Sequence, residues 1–301
     1  MSFIEVVEVG PRDGLQSEPE IVSTADKAQF VRRSLDAGIR RLEVTSFVHP
    51  KRVPQMADAE DLMGELTKLD DSCFMGLALN ERGVQRALDA GVDEVGFVVI
   101  ASDTFNLKNQ GVTSEESVAA FGRVCAMAQA AGTPVSLTLS AAWGCPFEGL
   151  VEQSRVLELL DLCLPYGPSE IGLADTIGVA VPKDVTTLVQ GVQKAAGDLP
   201  VRCHFHNTRN TGIANALAAA EAGSQRLDAS TGGIGGCPFA PAATGNIAME
   251  DLLYALHNSG FKTGVDLAQV LDTAAWLDQV MGKPVPSMLS RAGDFLFEKR
   301  A

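Results

Sequence analysis

A (β/α)8 barrel is the fold class this sequence predicts, and three observations predict it. Eight short runs rich in Val, Ile and Leu recur at spacings of about 20 to 40 residues, stretches of helical period separate them, and a glycine closes six of the seven helix-to-strand joins. Apolar residues make up 46% of the chain and aromatics only 6%, which suits Val, Ile, Leu and Ala layers around buried parallel strands. Such a barrel needs roughly 250 residues. Residues 1–301 are therefore read as one barrel domain, with a helical extension over about 248–301.

The first strand candidate runs from Ile4 to Val9 and stops at Pro11-Arg12-Asp13-Gly14, a turn composition. A helical pattern over 24–37 ends at Gly38 before the strand Arg41 to Ser46, and a second over 56–68 precedes the strand Cys73 to Leu79. The pattern over 81–90 ends at Gly91 before Glu94 to Ile100, and that over 114–131 at Gly132 before Pro134 to Ser140. Patterns at 150–165, 182–196 and 211–222 close at Gly167, Gly197 and Gly223, before the strands Glu170 to Ala174, Val201 to His206 and Arg226 to Ser230. Glycine fits the left-handed backbone that ends many helices. No Gly-x-Gly-x-x-Gly follows the first strand to favour an open dinucleotide-binding sheet. Helical patterns at 248–259 and 265–281 lie beyond a glycine-rich loop and are expected to cover the barrel or pair subunits in a homodimer or higher homo-oligomer.

The net charge of −14 argues against nucleic acid or an anionic membrane as partner, since phosphate backbones are bound through basic surface. An anionic substrate must then be captured by a few local cations. Six cysteines without a CxxC pair read as reduced thiols in a cytoplasmic protein. The first residues enter a strand pattern at once, so neither an export signal nor an import leader is expected, and no window is apolar enough to span a membrane.

The chemistry-bearing signal is His204-Phe205-His206. Alternate residues leave a strand on one face, so the two imidazoles converge while Cys203 and Phe205 point away. Two neutral imidazoles with an Asp oxygen suit an octahedral Mg²⁺ or Mn²⁺ with open positions. The alternative is a polar strand whose histidines hydrogen-bond within a core, yet half of the chain's four histidines sit here. In a barrel of this kind, function gathers where strands end. Arg12 and Asp13 follow the first strand, Glu43 and Ser46 end the second, Asp175 follows the sixth, His204 and His206 end the seventh, and Cys237 and Asn246 follow the eighth. Each has a plainer reading. Arg12-Asp13 fits a turn ion pair, Asp175-Thr176 a helix N-cap, and Cys237 a small buried hydrophobe. The Gly232 to Gly236 run fits a phosphate cradle, a tight turn or, as favoured here, a loop that closes over substrate.

Longer motifs carry a resemblance. VEVGPRDGLQSE at 7–18, LEVTSFVHPKRVPQM at 42–56, GCPFEG at 144–149, LADTIGV at 173–179 and GGIGGCPFAPAATGNIAMEDL at 232–252 resemble the 3-hydroxy-3-methylglutaryl-CoA lyases, a branch of the DRE-TIM metallolyases. The resemblance implies Asp13, His204, His206 and Asn246 as ligands of Mg²⁺ or Mn²⁺, with an acyl-CoA thioester as substrate. It implies Arg12 on the enolate oxygen, Asp175 or His204 as base, Cys237 as the acid that protonates the enolate carbon, and Glu43 as a residue orienting Arg12 or a water. Gln16, Ser46, Asn109 and Arg209 are the further substrate-binding candidates.

The implied reaction is retro-Claisen cleavage of 3-hydroxy-3-methylglutaryl-CoA to acetyl-CoA and acetoacetate, a step of leucine catabolism. This chain departs from the family's HCHDTYGQ with HFHNTRNTG, placing Asn207 and Arg209 beyond the histidines, and has Gly172 where a Ser is usual. Another 3-hydroxyacyl-CoA substrate is therefore kept as an alternative, as are a condensing synthase and an inactive metal-binding scaffold. Leu15 in place of the synthases' Glu speaks against the synthase, and the retained Arg12, Cys237 and ligand set against the scaffold.

Overall fold

Eight parallel strands close on themselves in the computed structural model, which describes residues 2–236 and 245–295. They are β1 (Glu5–Glu8), β2 (Arg41–Ser46), β3 (Cys73–Leu77), β4 (Glu94–Ile100), β5 (Val135–Ser140), β6 (Glu170–Asp175), β7 (Val201–Phe205) and β8 (Arg226–Ala229). Each pairs with its neighbours in sequence, and β1 closes the ring against β8 in register from Glu5 opposite Arg226 to Glu8 opposite Ala229. This is the expected (β/α)8 barrel.

The helices that return the chain are α1 (Thr24–Asp36), α2 (Ala59–Glu65), α3 (Glu81–Asp89), α4 (Asp103–Asn109), α5 (Ser114–Ala130), α6 (Gln153–Cys163), α7 (Pro182–Ala196) and α8 (Gly212–Glu221). After β8 come α9 (Met249–Asn258), α10 (Leu267–Met281) and α11 (Leu289–Ala292). Their starts follow local chemistry. Ser23, Asn80 and Ser102 cap α1, α3 and α4 through side-chain oxygens, and Thr113 with Glu116 forms a reciprocal capping box on α5. All six expected closing glycines have positive φ, from 64° at Gly197 to 101° at Gly223.

Three local features differ from expectation. The stretch over 56–68 divides into a 3-10 turn at Pro54–Met56 and the shorter α2, with a turn at Ala57 and Asp58 between them. Helix α4 was not expected, because its Thr-Phe-Asn-Leu core is too short to show a helical period; the Ser102 cap makes it. The helix over 249–258 completes the barrel ring after β8, so only α10 and α11 lie beyond it, α10 packing between α9 and α1. Trp276 of α10 meets Phe30 of α1 at 6.3 Å between ring centroids, with the Arg33 guanidinium 5.0 Å over the indole.

The two faces of the barrel wall differ in kind. Leu42, Phe74, Phe97, Leu137, Leu173 and Leu227 are fully buried in one apolar cluster with the helices. Alternate residues on the same strands face inward. Arg41 of β2 lies 3.7 Å from Glu170 of β6, on the opposite side of the ring, which fixes that face as the interior. There Arg41 also meets Glu94 at 2.5 Å, and Arg202 meets both Glu170 at 2.6 Å and Asp228 at 2.7 Å. Such ions are tolerable only because each has an opposite charge and a hydrogen bond.

Candidate active site

The carboxyl end of the barrel gathers the site from four strand ends. Pro11 and Gly14 bracket Arg12-Asp13 in a single turn of π-helix after β1, where the amides of Asp13 and Gly14 both donate to Val9 O. That wide turn points both side chains over the barrel mouth. Arg12 reaches Asp13 Oδ1 through Nη1 and Glu43 Oε2 through Nη2, each at 2.5 Å. The plain turn pair is therefore only half of the arrangement, since Glu43 on β2 orients the same guanidinium. Arg12 Nε is buried without a partner among the described residues.

His204 and His206 do face the same way, with ring centroids 5.0 Å apart, while Cys203 and Phe205 are buried on the outer face. Asp13 Oδ2 lies 3.9 Å from His204 Nε2 and 3.7 Å from His206 Nε2. Asn246 joins them because residues 245–247 run antiparallel to the end of β7: Asn207 N donates to Gly245 O at 2.8 Å and Ile247 N to Phe205 O at 3.2 Å, setting Asn246 opposite His206. Gly235, at φ 128°, passes so near that a Cβ there would lie 2.7 Å from Asn246 Nδ2. Asn246 Nδ2 donates to Asp13 Oδ2 and to Ile234 O, both at 3.1 Å.

Electrostatics set the charge state of the cluster. Burial opposes ionisation of Asp13, but the Arg12 guanidinium and the two imidazoles outweigh it and keep the carboxyl well below the usual range. Burial likewise opposes charge on His204, and Asp228 with Asp13 overcomes it, so that imidazole is raised. Asp228 Oδ2 sits 3.2 Å from His204 Nδ1, a contact that leaves Nε2 toward Asp13. One ligand atom each from Asp13, His204 and His206 lie within 4.8 Å of one another. Asn246 Oδ1 and His206 Nδ1 are buried without a hydrogen-bond partner among the described residues. A carboxylate, two imidazoles and an orphaned amide oxygen fit a divalent metal ion.

The remaining candidates are placed as follows. Asp175 does not cap a helix, since α7 begins at Pro182; its two oxygens accept from Val179 N at 2.9 Å and Ala180 N at 3.0 Å, anchoring the loop after β6. Burial raises it, only partly offset by those amides. Ser46 is buried at the end of β2 and Gln16 is half-buried after the first turn. Asn109 ends α4. None of these three is hydrogen-bonded to the cluster among the described residues. Arg209 is exposed, and its Nη1 donates to Ile177 O at 3.0 Å and Gly178 O at 2.9 Å. Cys237 lies outside the described residues. Thr231 and the first two glycines of the run form a 3-10 turn, with Thr231 and Gly232 held by the buried carboxylates Glu8 and Glu250.

Sequence reading missed Asp228 and Arg202. The signal was there: charged residues alternate in Arg226-Leu227-Asp228 and in Arg202-Cys203-His204, marking one inward face on each strand.

Comparison with known proteins agrees with this architecture. The chain is 40% identical to a (R)-citramalyl-CoA lyase of Chloroflexus aurantiacus, over 97% of this chain and 96% of that one. It is 38% identical to a hydroxymethylglutaryl-CoA lyase of Bacillus subtilis, over 94% and 95%. The solved structure of an HMG-CoA lyase from Acinetobacter baumannii in complex with coenzyme A and 3-methylmalate superposes with a TM-score of 0.94 at 38% identity, covering 98% of this chain and 96% of that one. Fold, site and relatives define a carbon–carbon lyase on a (β/α)8 barrel. The chain belongs to the HMGL-like family, whose model matches residues 3–277.

Proposed function

We propose that this protein is a divalent-metal-dependent lyase that cleaves 3-hydroxy-3-methylglutaryl-CoA to acetyl-CoA and acetoacetate. The observation that carries the reading is the Asp13, His204, His206 and Asn246 cluster with the Arg12 guanidinium beside it. These four residues would hold Mg²⁺ or Mn²⁺, which when bound supplies Lewis acidity to a substrate hydroxyl and carboxylate. Cleavage needs the C3 hydroxyl proton removed, the C2–C3 pair delivered to the thioester as an enolate, and C2 protonated. With Nδ1 of His204 on Asp228 and Nε2 on the ligand cluster, no nitrogen of that ring is free to act as base. Asp175 is the base in this reading, since burial raises its carboxyl above an ordinary Asp and strengthens it as a proton acceptor. Arg12 Nε–H, lacking another partner among the described residues, is the donor for the developing enolate oxygen. Cys237 is the acid at C2, because an ordinary thiol is largely protonated near neutral pH.

A second reading rests on the 40% identity to a citramalyl-CoA lyase. Citramalyl-CoA has the same tertiary hydroxyl but lacks one methylene before its carboxylate, and it would give acetyl-CoA and pyruvate. The test is a thioester panel with chelator-stripped protein, refilled with Mg²⁺ or Mn²⁺, and products read by mass spectrometry. Acetoacetate supports the first reading and pyruvate the second. Full cleavage in metal-free protein, or none of either thioester with either ion, overturns the proposal.

A further inference from the structure

Arg202 engages its whole guanidinium inside the barrel. Nε donates to Glu170 Oε1 at 2.6 Å, Nη1 to Asp228 Oδ2 at 2.7 Å and Nη2 to Thr138 Oγ1 at 3.1 Å. Glu170 is gripped from its other side by Arg226 at 2.5 Å. A line of ion pairs thus climbs the barrel to Asp228, and the oxygen it ends on is the same Oδ2 that lies 3.2 Å from His204 Nδ1. Asp228 Oδ1 is buried with no partner among the described residues, so nothing else there orients this carboxylate.

Gly172 is the complement of Arg202. Its backbone lies outside the left-handed region, so what glycine contributes here is space rather than conformation. A Cβ built at Gly172 would sit 2.8 Å from Thr138 Oγ1 and 3.3 Å from Arg202 Nη2. Both atoms belong to the clamp.

We infer that Arg202 is a positioning residue for the His204 imidazole: held by Glu170 and Thr138, it aims the Asp228 carboxylate at Nδ1 and so directs Nε2 toward Asp13, with Gly172 leaving the room it needs. The inference rests on the proposed metal role of His204. The partner of a ligating histidine's far nitrogen sets its tautomer and ring orientation, and losing such a partner typically lowers metal affinity by about 10- to 100-fold. A planar guanidinium holds two carboxylates and a hydroxyl in one fixed fork, which the single ammonium of Lys cannot do.

The experiment is calorimetric titration of Mn²⁺ into the chelator-stripped full chain, with thermal unfolding measured alongside. Arg202→Lys keeps the charge and should weaken Mn²⁺ by about 10-fold or more. Gly172→Ala adds one methyl, removes no charge, and should weaken it in the same direction; it decides the matter if Arg202→Lys does not fold. Nitrogen NMR of the histidines supplies a readout that core packing alone would not move. The unaltered protein should show His204 protonated at Nδ1, and the variants a mixture of tautomers. Folded variants that bind Mn²⁺ within twofold of the unaltered chain, with the tautomer unchanged, overturn the positioning role while leaving the metal reading intact. No Mn²⁺ binding by the unaltered chain, or equal binding by His206→Ala, overturns the metal reading and this inference together.

Discussion

Outward-facing Leu42, Val95, Leu137 and Leu173 lie in a continuous apolar layer beneath the helices, whereas their strand neighbours Arg41, Glu94, Thr138 and Gly172 face a barrel interior of ion pairs. The outer layer gains from removing apolar area from water, a non-directional effect of roughly 25 cal/mol per Å² that tolerates many residues of similar size. The interior gains little net stability, because desolvation of each ion offsets most of its attraction. What it provides is direction. One step along a strand separates residues that hold the barrel together from residues that aim its chemistry.

Adjacent positions at the end of β7 give the sharpest way to break this comparison. His206→Ala should abolish tight Mn²⁺ binding and lower kcat by about 10²- to 10³-fold or more, the several kcal/mol expected from losing metal assistance. The melting temperature of the metal-free protein should hardly move. Equal metal affinity in calorimetry would remove the interior from the chemistry.

The next largest effect concerns a buried carboxylate on the outward face of β1. Glu8 is fully buried, and burial pushes it up to about 7, against the hydrogen bonds from Thr231 and Gly10 and with the help of nearby Glu250. A raised carboxyl binds its proton more tightly in the folded state. Its contribution is therefore most favourable below about pH 4.5 and is lost as pH rises through 7, a span worth about 3 kcal/mol. Glu8→Gln should flatten the stability profile between pH 5 and 8 by up to that amount, as followed by denaturant unfolding at each pH. An unchanged slope would mean that Glu8 is not the titrating group.

Phe205→Leu tests the outer face beside the proposed ligands His204 and His206. The ring packs 5.7 Å from Trp143, so the change should cost about 1 to 2 kcal/mol in unfolding free energy. Mn²⁺ affinity should stay within twofold. Loss of metal as severe as in His206→Ala would mean that the two faces are not independent.

The smallest effect is expected at Arg209, whose Nη1 binds the carbonyls of Ile177 and Gly178 just after Asp175. Arg209→Tyr should lower kcat/KM for every thioester by a similar two- to tenfold, about the worth of one or two hydrogen bonds. A change confined to one substrate would assign the guanidinium to that substrate's carboxylate.

Strand order, helix order and the closing glycines were legible in the sequence because apolar period and helix-ending chemistry are local properties. The alternation of His204 and His206 was legible for the same reason, since a strand fixes which side each residue takes. The family motifs extended this to Asp13 and Asn246, 233 residues apart in sequence and hydrogen-bonded in space. Only the closed barrel decided that Asp228 on β8 turns to His204, that Arg202 holds Asp228 against Glu170, and that Gly172 gives Arg202 its room. Local sequence carries backbone conformation and sidedness. Which inward-facing charges meet is set by ring closure and strand register, which bring together residues on different strands whose spacing along the chain says nothing about their separation.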